Sequence, residues 1–378
     1  MKILFMSLGI YGSVGGMQRF NRRVIRCLAE LHPLISKFHV IALWDSASQG
    51  STTNLGNAFT PCSSNKLLAL TAFVRAVWKM QPDIILFDHV LLSPLATMAR
   101  IISPRSRRVL FVYGNEVWGA PAGVKISSLD RWAVRHFIDK VISISVFTKE
   151  NMKRAFALTD EIFSILPCAV DVDLSCVPPE PVAASSGSAY RLLTVARLGY
   201  DDRYKGLDNV IRSLPMVLSV FSGVRYDIVG DGILKQEFQR LVDQLGVAEH
   251  VHFLGRLDEK QLETAYQTCH LFVMPSKQEG FGIVFLEAWK HGLPVIAGNQ
   301  DASPEVVTHG ENGLIVNPDS VEEIGQAIVS LVKDQKQAIQ MGRKGYETVL
   351  EHYTHEHFRN NLRQILESLA CPGEFQTG

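Results

Sequence analysis

Glu279-Gly280-Phe281-Gly282-Ile283-Val284-Phe285-Leu286-Glu287, continuing as Ala288-Trp289-Lys290-His291-Gly292-Leu293-Pro294-Val295, reads as a loop, a helix and the return to a strand. The apolar run Leu271–Met274 precedes it and ends at Pro275-Ser276, as a buried strand would. Gly280 and Gly282 let the backbone turn tightly; the helix begins near Gly282, and Gly292 stops it. Unpaired amides at such a helix N-terminus form an anion site suited to a diphosphate. Glu279 sits at its mouth and Glu287 about one turn into the helix. As a bare pattern, two such glutamates describe no more than a core helix with solvated carboxylates. The strand and glycine loop ahead of the helix argue for a ligand site instead.

The same β/α rhythm runs through the chain. Towards the N-terminus, Ile3–Leu8, Phe38–Leu43, Ile84–Phe87, Arg108–Val112, Lys140–Ile144 and Phe163–Leu166 read as strands. Most are unbroken apolar runs, as in a parallel sheet covered on both faces. Between the first two lies a helical stretch, Met17–Leu31, with Met17, Phe20, Val24, Leu28 and Leu31 on one face. The texture changes at Pro178-Pro179-Glu180-Pro181-Val182-Ala183-Ala184-Ser185-Ser186-Gly187-Ser188, a linker by composition. The rhythm then restarts with Arg191–Ala196, Arg225–Val229, Val251–Phe253, Leu271–Met274 and Pro294–Ala297. An amphipathic helix over His355–Leu369 closes the chain. The expectation is an α/β protein of two Rossmann-like, doubly wound domains facing a central cleft. The first covers residues 1–180 and the second 188–354, with the last helix, about 355–378, packing back on the first.

A length of 378 residues with 47% apolar and 20% charged side chains suits two soluble globular cores. No apolar run approaches the roughly 18 to 20 residues that cross a bilayer. Met1–Met6 is too short for a signal peptide, so a cytoplasmic location is expected. Six scattered cysteines, without a CxxC pair, fit neither a disulfide framework nor a zinc site. The zero net charge is unevenly spread. Residues 1–180 hold 20 Lys/Arg against 13 Asp/Glu, and residues 181–378 hold 18 against 25. This is either ordinary variation between domains or the mark of an anionic partner for the first half, a membrane surface or a phosphorylated acceptor. No nucleic-acid partner is expected.

Six elements in order carry a resemblance that covers nearly the whole chain. They are Gly15-Gly16 after the first strand; Ala196-Arg197-Leu198 with Lys205-Gly206; Val229-Gly230-Asp231-Gly232; Val251-His252-Phe253-Leu254-Gly255; the Glu279–Glu287 segment; and Pro294–Ala297 with Pro304-Glu305. Together they resemble the retaining glycosyltransferases of family 4, which have the GT-B fold. The resemblance implies a hexosyltransferase that takes a sugar from a nucleotide-diphosphate sugar and adds it to a glycan or lipid-linked acceptor, as in envelope or exopolysaccharide synthesis. Glu279 would orient the sugar, while Arg197 and Lys205 would clamp the leaving diphosphate as its charge develops. Gly15, Gly16, Gly230, Arg256, Leu257, Gly280, Phe281, Gly282, Ile283 and Val284 would line the donor, with Glu287 on the ribose. No cofactor or metal is expected. A UDP-sugar, UDP-glucose in particular, is the expected donor because it is common among such enzymes.

Three positions depart from that pattern. Where many relatives carry a His in an HG-type turn, this chain has Tyr113-Gly114-Asn115-Glu116, so Tyr113, Glu116 or the nearby His89 would contact sugar or acceptor. Pro167-Cys168-Ala169-Val170-Asp171 replaces an Asn-Gly turn, and Asp171-Val172-Asp173 resembles a metal-binding DxD but is read as structural. Rival readings fit less well. A dinucleotide oxidoreductase needs GxGxxG and an acid at the end of the second strand; Gly9–Gly16 lacks that spacing and Asp45 comes late. A glycoside hydrolase needs carboxylates about 5 to 9.5 Å apart, whereas helix between Glu279 and Glu287 would separate them by roughly 12 Å. A GT-B epimerase, a phosphorylase or a non-catalytic nucleotide-sugar binding protein remains as the alternative.

Overall fold

The computed structural model describes residues 1–12, 15–46, 56–118, 124–172 and 189–370. The chain forms two units, Met1–Cys168 with His355–Gly378, and Ala169–Thr354. The division falls at Cys168 rather than near residue 180 because Val170 already bonds into the second unit. Its amide donates to the Tyr353 carbonyl at 2.9 Å, and it bridges in parallel to Thr354. The linker run 178–188 and Asp173 of the DxD lie outside the described residues.

The first unit is built on seven parallel strands: β1 (Lys2–Ser7), β2 (Lys37–Ala42), β3 (Phe59–Pro61), β4 (Ile84–Phe87), β5 (Arg107–Val112), β6 (Lys140–Ser143) and β7 (Phe163–Ile165). Their order is β3-β2-β1-β4-β5-β6-β7. Helices α1 (Gly16–Glu30), α2 (Lys66–Met80), α3 (Leu95–Ile102), α4 (Ser128–Phe137) and α5 (Val146–Phe156) connect them. Side-chain caps start three of these helices: Asn65 accepts from the Leu68 amide, Ser127 from Asp130, and Ser145 from Thr148. The strand β3 has no counterpart in the sequence reading. Its three residues are too short an apolar signal, and its Pro61 is tolerated because β3 is an edge strand.

The second unit has six parallel strands: β8 (Tyr190–Val195), β9 (Val224–Val229), β10 (Val251–Gly255), β11 (Leu271–Met274), β12 (Val295–Gly298) and β13 (Gly313–Val316). Their order is β10-β9-β8-β11-β12-β13. The helices are α6 (Leu207–Val220), α7 (Leu234–Gln244), α8 (Glu259–Thr268), α9 (Ile283–Lys290), α10 (Val321–Lys333) and α11 (Gln335–His352). The strand β13, also absent from the sequence reading, follows the turn-like run His309-Gly310-Glu311-Asn312, which masks its four residues. Most strands are followed by a helix that carries the chain back over the sheet, which is why both sheets are parallel; β12 and β13 are joined instead through the short turn Ser303–Glu305.

The last helix, α12 (His355–Ala370), belongs to the first unit and lies against α1. Phe358 meets the edge of Phe20 at 5.1 Å. A polar clasp joins the same two helices: Arg23 Nη1 lies 3.1 Å from His355 Nδ1, and His355 Nε2 lies 2.7 Å from Glu30. Cys27, Glu30 and His355 are the one group of metal-capable side chains close together among the described residues. With Arg23 and Arg26 among them, it is built as an ion-pair clasp. The described cysteines 27, 62, 168 and 269 are buried.

Each sheet has one place where the chain reverses its direction of progress, between β1 and β4 and between β8 and β11. Ligands of doubly wound sheets bind outside the carboxyl ends of such strand pairs. The residues singled out from sequence gather at these two places.

Candidate active site

In the second unit, β8 ends at Val195 and delivers Arg197. The backbone on both sides of Arg197 is held by the turn after β9: the Ala196 amide donates to Val229 O at 3.0 Å, Leu198 to Asp231 O at 3.2 Å. Gly230 makes this possible. Its φ of +137° suits only glycine, and a Cβ there would fall 1.8 Å from the Ala196 carbonyl oxygen. The Gly-Asp-Gly turn is therefore a backbone press that sets where Arg197 leaves the sheet. The Arg197 side chain is 75% exposed, and its guanidinium is steadied by buried Asp202 at 3.2 Å. Asp202 also accepts from the Gly199 amide at 3.0 Å. With the cation this exposed, such a pair adds little stability; its effect is to aim the guanidinium.

Lys205 lies in the turn before α6 and forms a direct ion pair with Glu279, on the loop after β11. The two side chains are only 15% and 13% exposed. Burial works against the Lys205 charge, but Glu279, Tyr204 and the hydrogen bond to Glu279 outweigh it and hold the ammonium pKa above its ordinary value. The structure thus brings together two of the three residues expected to do the chemistry, with a cation that stays charged.

Beyond Glu279, Gly282 takes φ +90° and caps α9, where a Cβ would strike the Phe285 ring at 2.5 Å. The Ile283 and Val284 amides that open α9 have no acceptor within the helix, whereas the Phe285 amide donates to the Gly282 carbonyl at 2.9 Å. Ile283 and Val284 are half-buried, while Phe281 is buried against the Tyr353 ring at 5.6 Å and offers only its backbone. Helix begins only at Ile283, so the helical spacing assumed for Glu279 and Glu287 covers just the last part of that segment. Glu287 is half-buried and accepts from the Tyr266 hydroxyl at 3.2 Å. Tyr266 stacks on His291 at 5.3 Å. Arg256 is exposed and Leu257 half-buried just after β10, whose Gly255 carbonyl accepts from the Gly230 amide at 2.8 Å.

Two acids and one tyrosine here escaped the sequence reading: Asp202, Asp301 and Tyr266. Asp301 is buried; it accepts from the Glu279 amide at 2.8 Å and from the Ser303 amide at 2.9 Å. Burial, then the Glu279 charge, raises its carboxyl to about 6. Its one sequence signal is a carboxylate two residues before the Ser303-Pro304-Glu305 turn. Tyr266 looks like any apolar position on the inner face of α8.

In the first unit, Gly15 caps α1 in extended backbone and Gly16 opens the helix, so the glycine pair lies at a helix N-terminus. The loop before it is anchored by Asp45, whose carboxylate accepts from the amides of Ile10, Tyr11 and Gly12 at 2.9–3.2 Å. Asp45 is thus committed to the loop's own backbone. At the switch between β1 and β4, buried Asp88 accepts from Ser7, the Leu8 amide and Asn21. Asn21 in turn accepts from the Tyr113 hydroxyl at 2.6 Å.

The three residues expected to replace the missing histidine all turn inward. Tyr113 is spent on Asn21. Glu116 is buried, accepts from the Tyr113 and Gly114 amides, and is pushed by burial up to about 7. His89 caps the turn Val90–Leu92 by accepting from the Leu91 amide at 3.1 Å, and burial lowers its pKa to about 4, so it is neutral. Together they shape the loops at the switch point from beneath.

A family model described as "Glycosyl transferases group 1" matches residues 183–348. The chain is 34% identical over 269 residues to a GDP-mannose-dependent alpha-(1-6)-phosphatidylinositol monomannoside mannosyltransferase of Mycobacterium tuberculosis, covering 68% of each chain. It is 30% identical over 290 residues to a GDP-mannose-dependent monoacylated alpha-(1-6)-phosphatidylinositol monomannoside mannosyltransferase of Corynebacterium glutamicum, covering 73% of this chain and 74% of that one. Among solved structures, Anabaena Alr3699/HepE in complex with UDP and glucose superposes with a TM-score of 0.76 at 19% identity, covering 97% of this chain and all of the other. At that identity the likeness concerns the fold, which is GT-B.

Proposed function

The chain belongs to the group 1 glycosyltransferases, family 4 with the GT-B fold, and is a hexosyltransferase; from that premise we propose that it transfers mannose from GDP-mannose to a lipid-anchored acceptor with retention of configuration. GDP-mannose takes the place of the UDP-glucose expected from the sequence. The relatives at 30–34% identity are named for GDP-mannose, whereas the UDP-bound structure at 19% identity informs the fold alone.

One observation carries the reading: Lys205 and Glu279 meet at the β8/β11 switch point, beside Arg197 and the N-terminus of α9. Breaking the anomeric C–O bond leaves negative charge on the nucleoside diphosphate. Arg197, Lys205 and the first-turn amides of α9 supply preorganised positive charge for it. Glu279 is placed to hold sugar hydroxyls and Glu287, steadied by Tyr266, the ribose. With these groups neutralising the diphosphate, the reaction needs no resident metal. Thermal melting in chelator tests this: GDP-mannose is expected to raise the melting temperature more than UDP-glucose does, and Glu287→Ala to abolish the shift. A larger shift with UDP-glucose would overturn the choice of donor.

The acceptor side of the reading rests on the first unit. No described helix is long and apolar enough to cross a membrane. On α2, Leu67, Leu68, Arg75, Trp78 and Lys79 share one exposed face, with Leu67 70% and Trp78 67% exposed, and the helix contains no acidic residue. Apolar side chains among cations suit an anionic bilayer surface, into whose boundary the former insert. The chain is expected to sediment with vesicles containing anionic lipid at low salt and to be released at high salt, with Trp78→Glu staying in the supernatant. Sedimentation unaffected by salt would remove the electrostatic part of this reading.

A further inference from the structure

We propose that Asp301 is a positioning residue for Glu279, holding the peptide of that glutamate from the loop that follows β12; this rests on the donor-site reading of Glu279. The grip is two-sided. The Glu279 amide donates to Asp301 Oδ2 at 2.8 Å, and the Glu279 carbonyl accepts from the Ala302 amide at 3.2 Å. The other carboxylate oxygen, Oδ1, accepts from the Ser303 amide at 2.9 Å, which opens the short turn Ser303–Glu305. One buried carboxylate, 5% exposed, therefore ties the loop after β11 to the loop after β12. The Glu279 side chain is held separately, by Lys205.

The chemistry of the grip needs two acceptors on one side chain. A carboxylate supplies them; an asparagine offers one acceptor and one donor, and an alanine none. A carboxylate this buried is costly unless its hydrogen bonds are made, and here one is spent on the backbone of the residue expected to orient the sugar and the other on the Ser303 amide. Without them the Lys205 ion pair would pull on a loop free to shift. Glu279 would then keep its charge partner while losing its direction, and small misplacements of such a group weaken contact with substrate strongly.

Two measurements on the full chain test this. Amide hydrogen exchange over residues 277–282 is expected to quicken about tenfold in Asp301→Ala, and less in Asp301→Asn, with the rest of the second unit unchanged. Calorimetry with GDP and with GDP-mannose is then expected to show a split. GDP binds both variants within about twofold of wild type, whereas GDP-mannose binds Asp301→Ala about tenfold more weakly, and Asp301→Asn recovers part of the loss. A purely structural role would weaken both ligands together. Unchanged exchange in Asp301→Ala, or equal weakening of GDP and GDP-mannose, overturns the proposal. If exchange quickens but wild type binds no nucleotide-diphosphate sugar, the donor-site reading falls while the hold on Glu279 stands.

Discussion

Replacement of Lys205 by alanine is expected to lower kcat/KM for sugar transfer by about 10²–10³-fold. Two losses combine. The ammonium is one of two cations placed to meet the leaving diphosphate, and it is the less exposed of them, in surroundings that strengthen its charge interactions. Its removal also leaves the Glu279 carboxylate, only 13% exposed, without its partner. Arginine at this position should restore only part of the activity, since a wide planar fork does not fit a site shaped for a point charge. Steady-state kinetics and donor binding measured together separate the two losses. Lys205→Ala with wild-type turnover would show that the ion pair is architectural and that the diphosphate is neutralised elsewhere.

Trp289→Ala is expected to destabilise the second unit by about 3–5 kcal/mol, the cost of emptying a large aromatic site. At that size of unit the melting temperature should fall by roughly 10 °C. Trp289 is fully buried in α9, and its indole Nε1 donates to the Asn312 carbonyl at 2.9 Å. The helix α11 closes over it through two glycines. A Cβ at Gly345 would lie 2.1 Å from the indole Cδ1, and one at Gly342 would lie 1.8 Å from the Gly292 carbonyl oxygen. The contact therefore has no slack, and alanine would leave both a cavity and an unpaired buried carbonyl. Because α9 begins at the donor loop, donor binding should be lost at a lower temperature than in wild type. Urea unfolding checks the magnitude; a loss below about 1 kcal/mol would mean that α11 collapses into the space.

Residue patterns were sufficient wherever the physics is local. Short runs of three to six residues, most of them largely apolar, marked eleven strands, because a sheet covered on both faces asks for little else. The two missed strands, Phe59–Pro61 and Gly313–Val316, are short edge strands that borrow their order from a neighbour. Glycines with positive φ, such as Gly230 and Gly282, were legible as turns because no other residue takes that backbone cheaply. Arg197, Lys205, Glu279 and Glu287 were singled out by resemblance to the family's motifs, and the structure pairs Lys205 with Glu279 and Glu287 with Tyr266.

The inward turn of Tyr113, Glu116 and His89 was not legible. Whether a polar side chain faces solvent or a buried partner depends on what lies across the sheet, here Asn21 for Tyr113, 92 positions away in sequence. The same holds for Asp301 and Tyr266, which act on Glu279 and Glu287 from separate elements. The sequence by itself therefore determined the fold class and the two β/α halves, both set by local pattern and covalent geometry, and through its resemblance to a family it named the candidate donor-site residues. Only the tertiary structure decided where the first unit ends, which polar groups are spent on one another, and that Glu279 is held between Lys205 and Asp301. Those depend on hydrogen bonds and ion pairs between distant segments, which no local pattern encodes.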